Sequence, residues 1–265
     1  MNKWGLIGKA AVITAILLVV RLAFDYLNLN VLTLTNLVTA FITGAIFTVG
    51  IILAGVLTDY KESEKIPGEI AVAIRGMNSD LRLVHVADKE IVPRMQTKIC
   101  NLLVTINTNF RNNTWDLAAM DTAIGTIVED LSRLSIMDVP PHYIVKLKGG
   151  IGEIDKLSHR IKTIAETSFI PAAYAISEIA TVGVVLLLLF VNLEPVYEGL
   201  GLFALIVLMM TSLLLLIRDM DNPFEVGKNS CADVDLFLLM DLERKLLERQ
   251  GKYPASPENC GKTMP

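Results

Sequence analysis

An all-α membrane protein with four transmembrane helices and a large helical cytoplasmic region is what this sequence predicts, and three observations predict it. Residues 26–58 form 33 consecutive positions without a charged side chain. Three further apolar segments accompany that run, and about a hundred polar-rich residues separate the four into two pairs. The polar part carries apolar residues at spacings of three and four, which mark amphipathic helices with one buried face. A mean hydropathy of +0.51 and 52% hydrophobic content fit a chain half in lipid and half out.

A helix rises about 1.5 Å per residue, so roughly 20 apolar residues cross the hydrocarbon core. The first span is Trp4–Leu27, with Lys9, Arg21 and Asp25 near its ends. Its apolar stretch is too long for a signal peptide and no small-residue cleavage site follows, so it reads as a retained span. The second span is Val31–Thr58. The third is Ser168–Val191, interrupted by Glu178, and the fourth is Leu200–Ile217, followed at once by Arg218. Between the pairs, one stripe is Ile91, Met95, Ile99, Leu102, Ile106 and Phe110. A second is Leu117, Met120, Ile124, Ile127, Leu131 and Leu134; a third is Leu147, Ile151, Ile154, Leu157, Ile161 and Ile164. Arg111–Thr114 reads as a loop with an N-cap, and Val139-Pro140-Pro141 stops a helix. Asp233–Gln250 forms another helix with Leu236, Leu239, Leu242 and Leu246 on one side. The expected organisation is therefore 1–58 for the first two spans, 59–167 for the cytoplasmic helices, 168–218 for the last two spans, 219–250 for a cytoplasmic C-terminal segment, and 251–265 for a disordered tail.

The short connections at Asn28–Asn30 and Asn192–Gly199 carry no Lys or Arg. Of the 24 basic residues, only Arg21 falls near that side. The positive-inside rule then places both termini and the central segment in the cytoplasm of a multi-pass cell-membrane protein.

Several function classes have no support. A net charge of −4 is too small to suggest nucleic acid. Cys100, Cys231 and Cys260 show no paired spacing, which argues against disulfides and metal knuckles. There is no HExxH, no GxSxG and no phosphate-cradling loop. His85, His142 and His159 are scattered without ligand spacing. An enzyme is not expected. A secondary transporter ranks last, because the two pairs of spans lack the matched, broken helices of such proteins.

The second span holds Ala40, Gly44, Ala45, Gly50, Ala54 and Gly55, small residues that let helices approach closely in lipid. A helical stripe along it runs Asn36, Ala40, Thr43, Phe47, Ile51, Ala54 and Thr58. Several subunits turning this stripe to a common axis would line a narrow pore, with Phe47 and Ile51 as a constriction that gates by dewetting. The positive edge of a phenyl ring would tolerate a passing anion. One four-span chain encloses such a pore poorly; a homo-oligomeric ring does so through heterologous contacts that close.

The second span runs through Gly44-Ala45-Ile46-Phe47-Thr48 into Asp59-Tyr60-Lys61-Glu62-Ser63-Glu64-Lys65-Ile66-Pro67. After the fourth comes Asp221-Asn222-Pro223-Phe224-Glu225. With two spans, a helical insert, two spans and a tail, the chain resembles the bestrophin and bestrophin-like channel superfamily. That resemblance implies a homopentamer around one axial pore, with Phe47 and Thr43 at the neck, conducting anions such as chloride. Some prokaryotic members prefer cations. It also marks Asn222, Glu225, Asp233 and Asp235 as a candidate calcium or regulatory segment, although the dense acidic run of the animal calcium clasp is here spread out. Gly55-Val56-Leu57-Thr58 stands where the family carries aromatic and basic residues. No other cofactor is implied. The partners expected are permeant ions, the lipid bilayer and further copies of the chain. The rival reading is a membrane-anchored helical scaffold or signalling module without a pore.

Other charged positions admit two readings each. Arg21 and Asp25 share a helix face and can pair; alternatively Arg21 faces an outer vestibule and attracts anions. Glu178 marks an ion path at depth, or lies two turns from the interface if the helix starts near Pro171. Asp233 suits a helix N-terminus. Lys61, Glu62, Glu64 and Lys65 form a solvated helix face, or a charged ring that biases ions entering a vestibule.

Overall fold

The computed structural model describes residues 4–84, 88–137, 139–167, 171–224 and 232–251. Among them the order is α1 (Gly5–Tyr26), β1 (Leu32–Thr33), α2 (Asn36–Ser63), α3 (Ile66–Leu81), α4 (Ile91–Asn112), α5 (Leu117–Ile136), α6 (Pro141–Glu166), α7 (Pro171–Phe190), β2 (Val191–Asn192), α8 (Val196–Asp219) and α9 (Phe237–Arg249). Four helical stretches are long and apolar enough to cross a bilayer; they contain α1, α2, α7 and α8. The chain divides into two compact units.

The first unit is built on the described parts of Met1–Glu62, Ile164–Pro223 and Gly227–Asp233. Here α1 packs on α8 and α7, and α7 packs on α8. Val184, Leu188, Phe203, Val207 and Met210 form its core. Outward-facing residues are apolar as well, among them Val12, Ile16, Val19, Ile179 and Leu205. A helix apolar on every side belongs in lipid or in a deep core, and these side chains are exposed.

The helix of the second expected span begins at Asn36, and Val31–Thr35 lies outside it, with Leu32 and Thr33 paired in parallel to Val191 and Asn192. Thr35 then accepts the Val38 amide hydrogen at 3.3 Å, which starts the helix in the manner of an N-cap. The apolar run alone hid this boundary, because Val31–Thr35 is as uncharged as residues 36–58. At its other end α2 continues past Thr58 to Ser63.

The second unit is built on the described parts of Ser63–Thr163, Phe224–Val226 and Val234–Pro265. All six residues of the first amphipathic stripe are buried in α4. Met120, Ile127, Leu131 and Leu134 of the second are buried in α5. Leu147, Ile151, Ile154, Leu157 and Ile161 of the third are buried in α6. Each such burial stabilises the unit by roughly 1.5–3 kcal/mol relative to exposure. Helix α9 packs on α3 and α4, and α5 on α4. The turn between α4 and α5 closes on Asn113 in the left-handed region, φ 51°. The N-cap there is Asp116, whose carboxylate accepts the Ala119 amide hydrogen at 3.1 Å, not a residue of Arg111–Thr114. Helix α5 already ends at Ile136, ahead of the expected stop at Val139-Pro140-Pro141, and Pro141 opens α6.

Candidate pore-lining helix

All seven stripe residues on α2, Asn36, Ala40, Thr43, Phe47, Ile51, Ala54 and Thr58, are exposed in the single chain. Phe47 is 68% exposed and Ile51 57%. The opposite face holds the helix in place: Ala45, Val49 and Val56 are buried in the core of the first unit, with Ile42, Ile46 and Leu53 packed against it. One helix thus divides into an anchored side and a bare side. Leu37, Phe41 and Leu57 are exposed beside the stripe.

The hydroxyl groups along the stripe have a defined polarity. Thr43 donates to the Thr39 carbonyl at 2.8 Å and Thr58 to the Ala54 carbonyl at 2.9 Å. Each hydrogen is committed to the helix backbone one turn back. What such a residue turns outward is oxygen lone pairs and a methyl group.

Arg21 is 3% exposed. Its Nη1 donates to the carbonyls of Leu188 at 2.9 Å and Leu189 at 2.7 Å, and its Nη2 lies 3.0 Å from Asp25. Those carbonyls sit in the last turn of α7, where backbone acceptors lack intrahelical partners. A cation there also meets the negative end of the helix dipole. Asn30 donates to the same Asp25 oxygen. The arginine therefore closes a helix end, and the vestibule alternative is set aside. Glu178 lies seven residues after Pro171, which opens α7, and 3.9 Å from Arg218 near the end of α8. Glu178 is half-exposed and Arg218 exposed.

Tyr60 carries Lys61 above its ring at 5.8 Å, and Lys61, Glu62, Glu64 and Lys65 are exposed. Of the candidate calcium segment, Glu225 lies outside the described residues. Asp235 accepts the Phe237 amide hydrogen at 2.9 Å at the start of α9. Among the described residues no three His, Cys, Asp or Glu side chains group in a way that would hold a metal ion.

Two charged residues escaped sequence reasoning. Asp130 on α5 is 1% exposed. It accepts two hydrogen bonds from Arg94, both at 3.1 Å, and lies 2.7 Å from Lys98. Burial pushes its carboxyl up, but the hydrogen bonds from Lys98 and Arg94 outweigh that and hold it below the usual carboxylate range. Glu243 on α9 is buried and accepts from Asn107 at 2.6 Å and Arg111 at 2.8 Å. The available signal was a lone charge on the apolar side of each helix: Asp130 beside Ile127 and Leu131, Glu243 beside Leu239 and Leu246.

No family model and no curated protein matches the sequence. Solved structures do. A crystal structure of a bacterial bestrophin homologue from Klebsiella pneumoniae aligns with a TM-score of 0.74 at 15% identity, covering 94% of this chain and 98% of that one. A structure of a mutant of that homologue aligns at 0.75 and 15% identity, covering 92% and 99%. The chain has the bestrophin fold over almost its whole length, as its topology and its two short motifs led one to expect.

Proposed function

We propose that this chain is the subunit of a homo-oligomeric ion channel in the cell membrane, with α2 lining a shared axial pore. The observation that carries the proposal is the pairing of a bestrophin fold with a bare stripe on α2. A helix that buries one side and leaves Phe47, Ile51 and their row uncovered calls for either lipid or neighbouring copies. Asn36 makes lipid a poor cover for its end of that row, since a polar side chain in hydrocarbon seeks a partner. In a ring, Phe47 and Ile51 form the neck and the threonines wet the steps above and below it. Five copies are expected from the resemblance. The lack of basic residues in the short connections supports both termini lying in the cytoplasm.

Selectivity has two readings, each with its own observation. The ring edge of Phe47 favours anions such as chloride. The hydroxyls of Thr43 and Thr58, with hydrogens turned to the backbone, favour cations. Protein reconstituted in liposomes under a potassium chloride gradient decides between them by the sign of the reversal potential. Replacing Phe47 with alanine removes the bulk of the neck and is expected to raise flux several-fold or shift selectivity. Absence of flux of any ion from a correctly assembled oligomer would remove the channel reading and leave the scaffold.

A further inference from the structure

The second unit contains a cavity of about 630 Å³ where the C-terminal ends of α3 and α9 meet the start of α4. That is within the range of small-molecule sites. It is lined by Arg82 and Arg249, both exposed, by Asn78, Gln96, Thr97 and Gln250, and by Pro93 and Leu246. Among the described residues no acidic side chain lines it. Neither arginine has an ion-pair partner among the described residues.

The amides supply a second, independent sign. Asn78 is 9% exposed, and its Oδ1 lacks a hydrogen-bond partner. A buried polar atom left unsatisfied is costly and calls for explanation. Oxygen and nitrogen of a carboxamide exchange by a half-turn of the terminal torsion, so Asn78 can offer the cavity a donor as readily as an acceptor. Gln250, at the same rim, donates to the Gln96 carbonyl at 3.5 Å and leaves its Oε1 unpartnered. The walls are therefore doubly cationic, and they also carry two carboxamide groups with unpartnered oxygens, whose donor and acceptor ends can be exchanged.

We infer that this cavity binds an anionic ligand through a phosphate group, with Arg82, Arg249 and Asn78 as the contacts. A phosphate presents enough acceptor oxygens for two guanidiniums and one amide, and guanidinium geometry matches it in paired hydrogen bonds. The volume exceeds that of the phosphate alone, so the remainder of the ligand rests on Pro93 and Leu246. This goes beyond the channel reading, and its binding readout does not depend on ion flux.

The test uses the full chain in detergent micelles. Melting temperature is followed against inorganic phosphate, with ionic strength held constant by potassium chloride. A parallel arm dopes the micelles with phosphatidylinositol 4-phosphate, which separates a lipid headgroup from a soluble source. Saturable stabilisation is expected in at least one arm. R82Q and R249Q should each weaken it roughly tenfold or more, the loss typical of a charge-assisted hydrogen bond. R75Q makes the same charge change at an exposed position outside the cavity and should leave binding intact. The inference is overturned if neither source stabilises the chain, if R82Q and R249Q bind like wild type, or if R75Q weakens binding as much as they do.

Discussion

Arg21→Ala is expected to destabilise the first unit by about 3 to 5 kcal/mol, the range for removing one partner of a buried ion pair. The loss has three parts. Asp25 keeps its charge without its cation. The Leu188 and Leu189 carbonyls lose the guanidinium donor they share. A cavity opens where the side chain lay, beside the edge-to-face contact of Phe24 and Phe190, centroids 5.2 Å apart. In thermal melts of the solubilised chain this corresponds to a fall on the order of 10 °C. The double variant R21M/D25N should recover part of it, because it removes the orphaned charge and refills the volume. A melting point for R21A within about a degree of wild type would show that Arg21 is dispensable to α7. It would also reopen the vestibule alternative, which predicts altered flux at unchanged stability.

How much of this molecule is legible in its sequence depends on the range of each interaction. The stripes of α4, α5 and α6 repeat every three or four residues, so period alone finds them. The same signal extends over Ile66, Ile70, Ile74, Met77 and Leu81, where α3 lies, and that helix too is readable once its Pro67 is taken as a first-turn proline. The α2 stripe is likewise a local pattern. The start of α2 is not, because Leu32 and Thr33 ahead of it pair with Val191 and Asn192, far along the chain. The pairing of Arg21 with Asp25 is four residues long and visible; its carbonyl partners are 167 and 168 residues away and are not. The arginine-lined cavity draws on α3 and α4 together with α9, far along the chain, and no spacing announces it.

Asp130 illustrates that long-range term in the second unit, and its removal is the other large effect expected. Asp130→Asn keeps the shape and deletes the charge. Arg94 and Lys98 on α4 then crowd the contact with α5 without a counter-ion, and the shared hydrogen bonds weaken. The cost at neutral pH is about 2 to 3 kcal/mol, below the range for fully enclosed pairs because both cations keep access to water. The pH dependence separates this account from a packing defect. The native carboxyl is held below its ordinary value, so the unfolded chain takes up its proton first as pH falls below about 4. Stability from this site is therefore complete above that pH and is lost as pH drops through the depressed native value. Wild type and D130N should differ by the full amount at pH 7 and converge in acid. Denaturant melts of the full chain at both pH values measure the gap, and a gap that stays constant into acid would mean that the asparagine merely packs badly between Arg94 and Lys98.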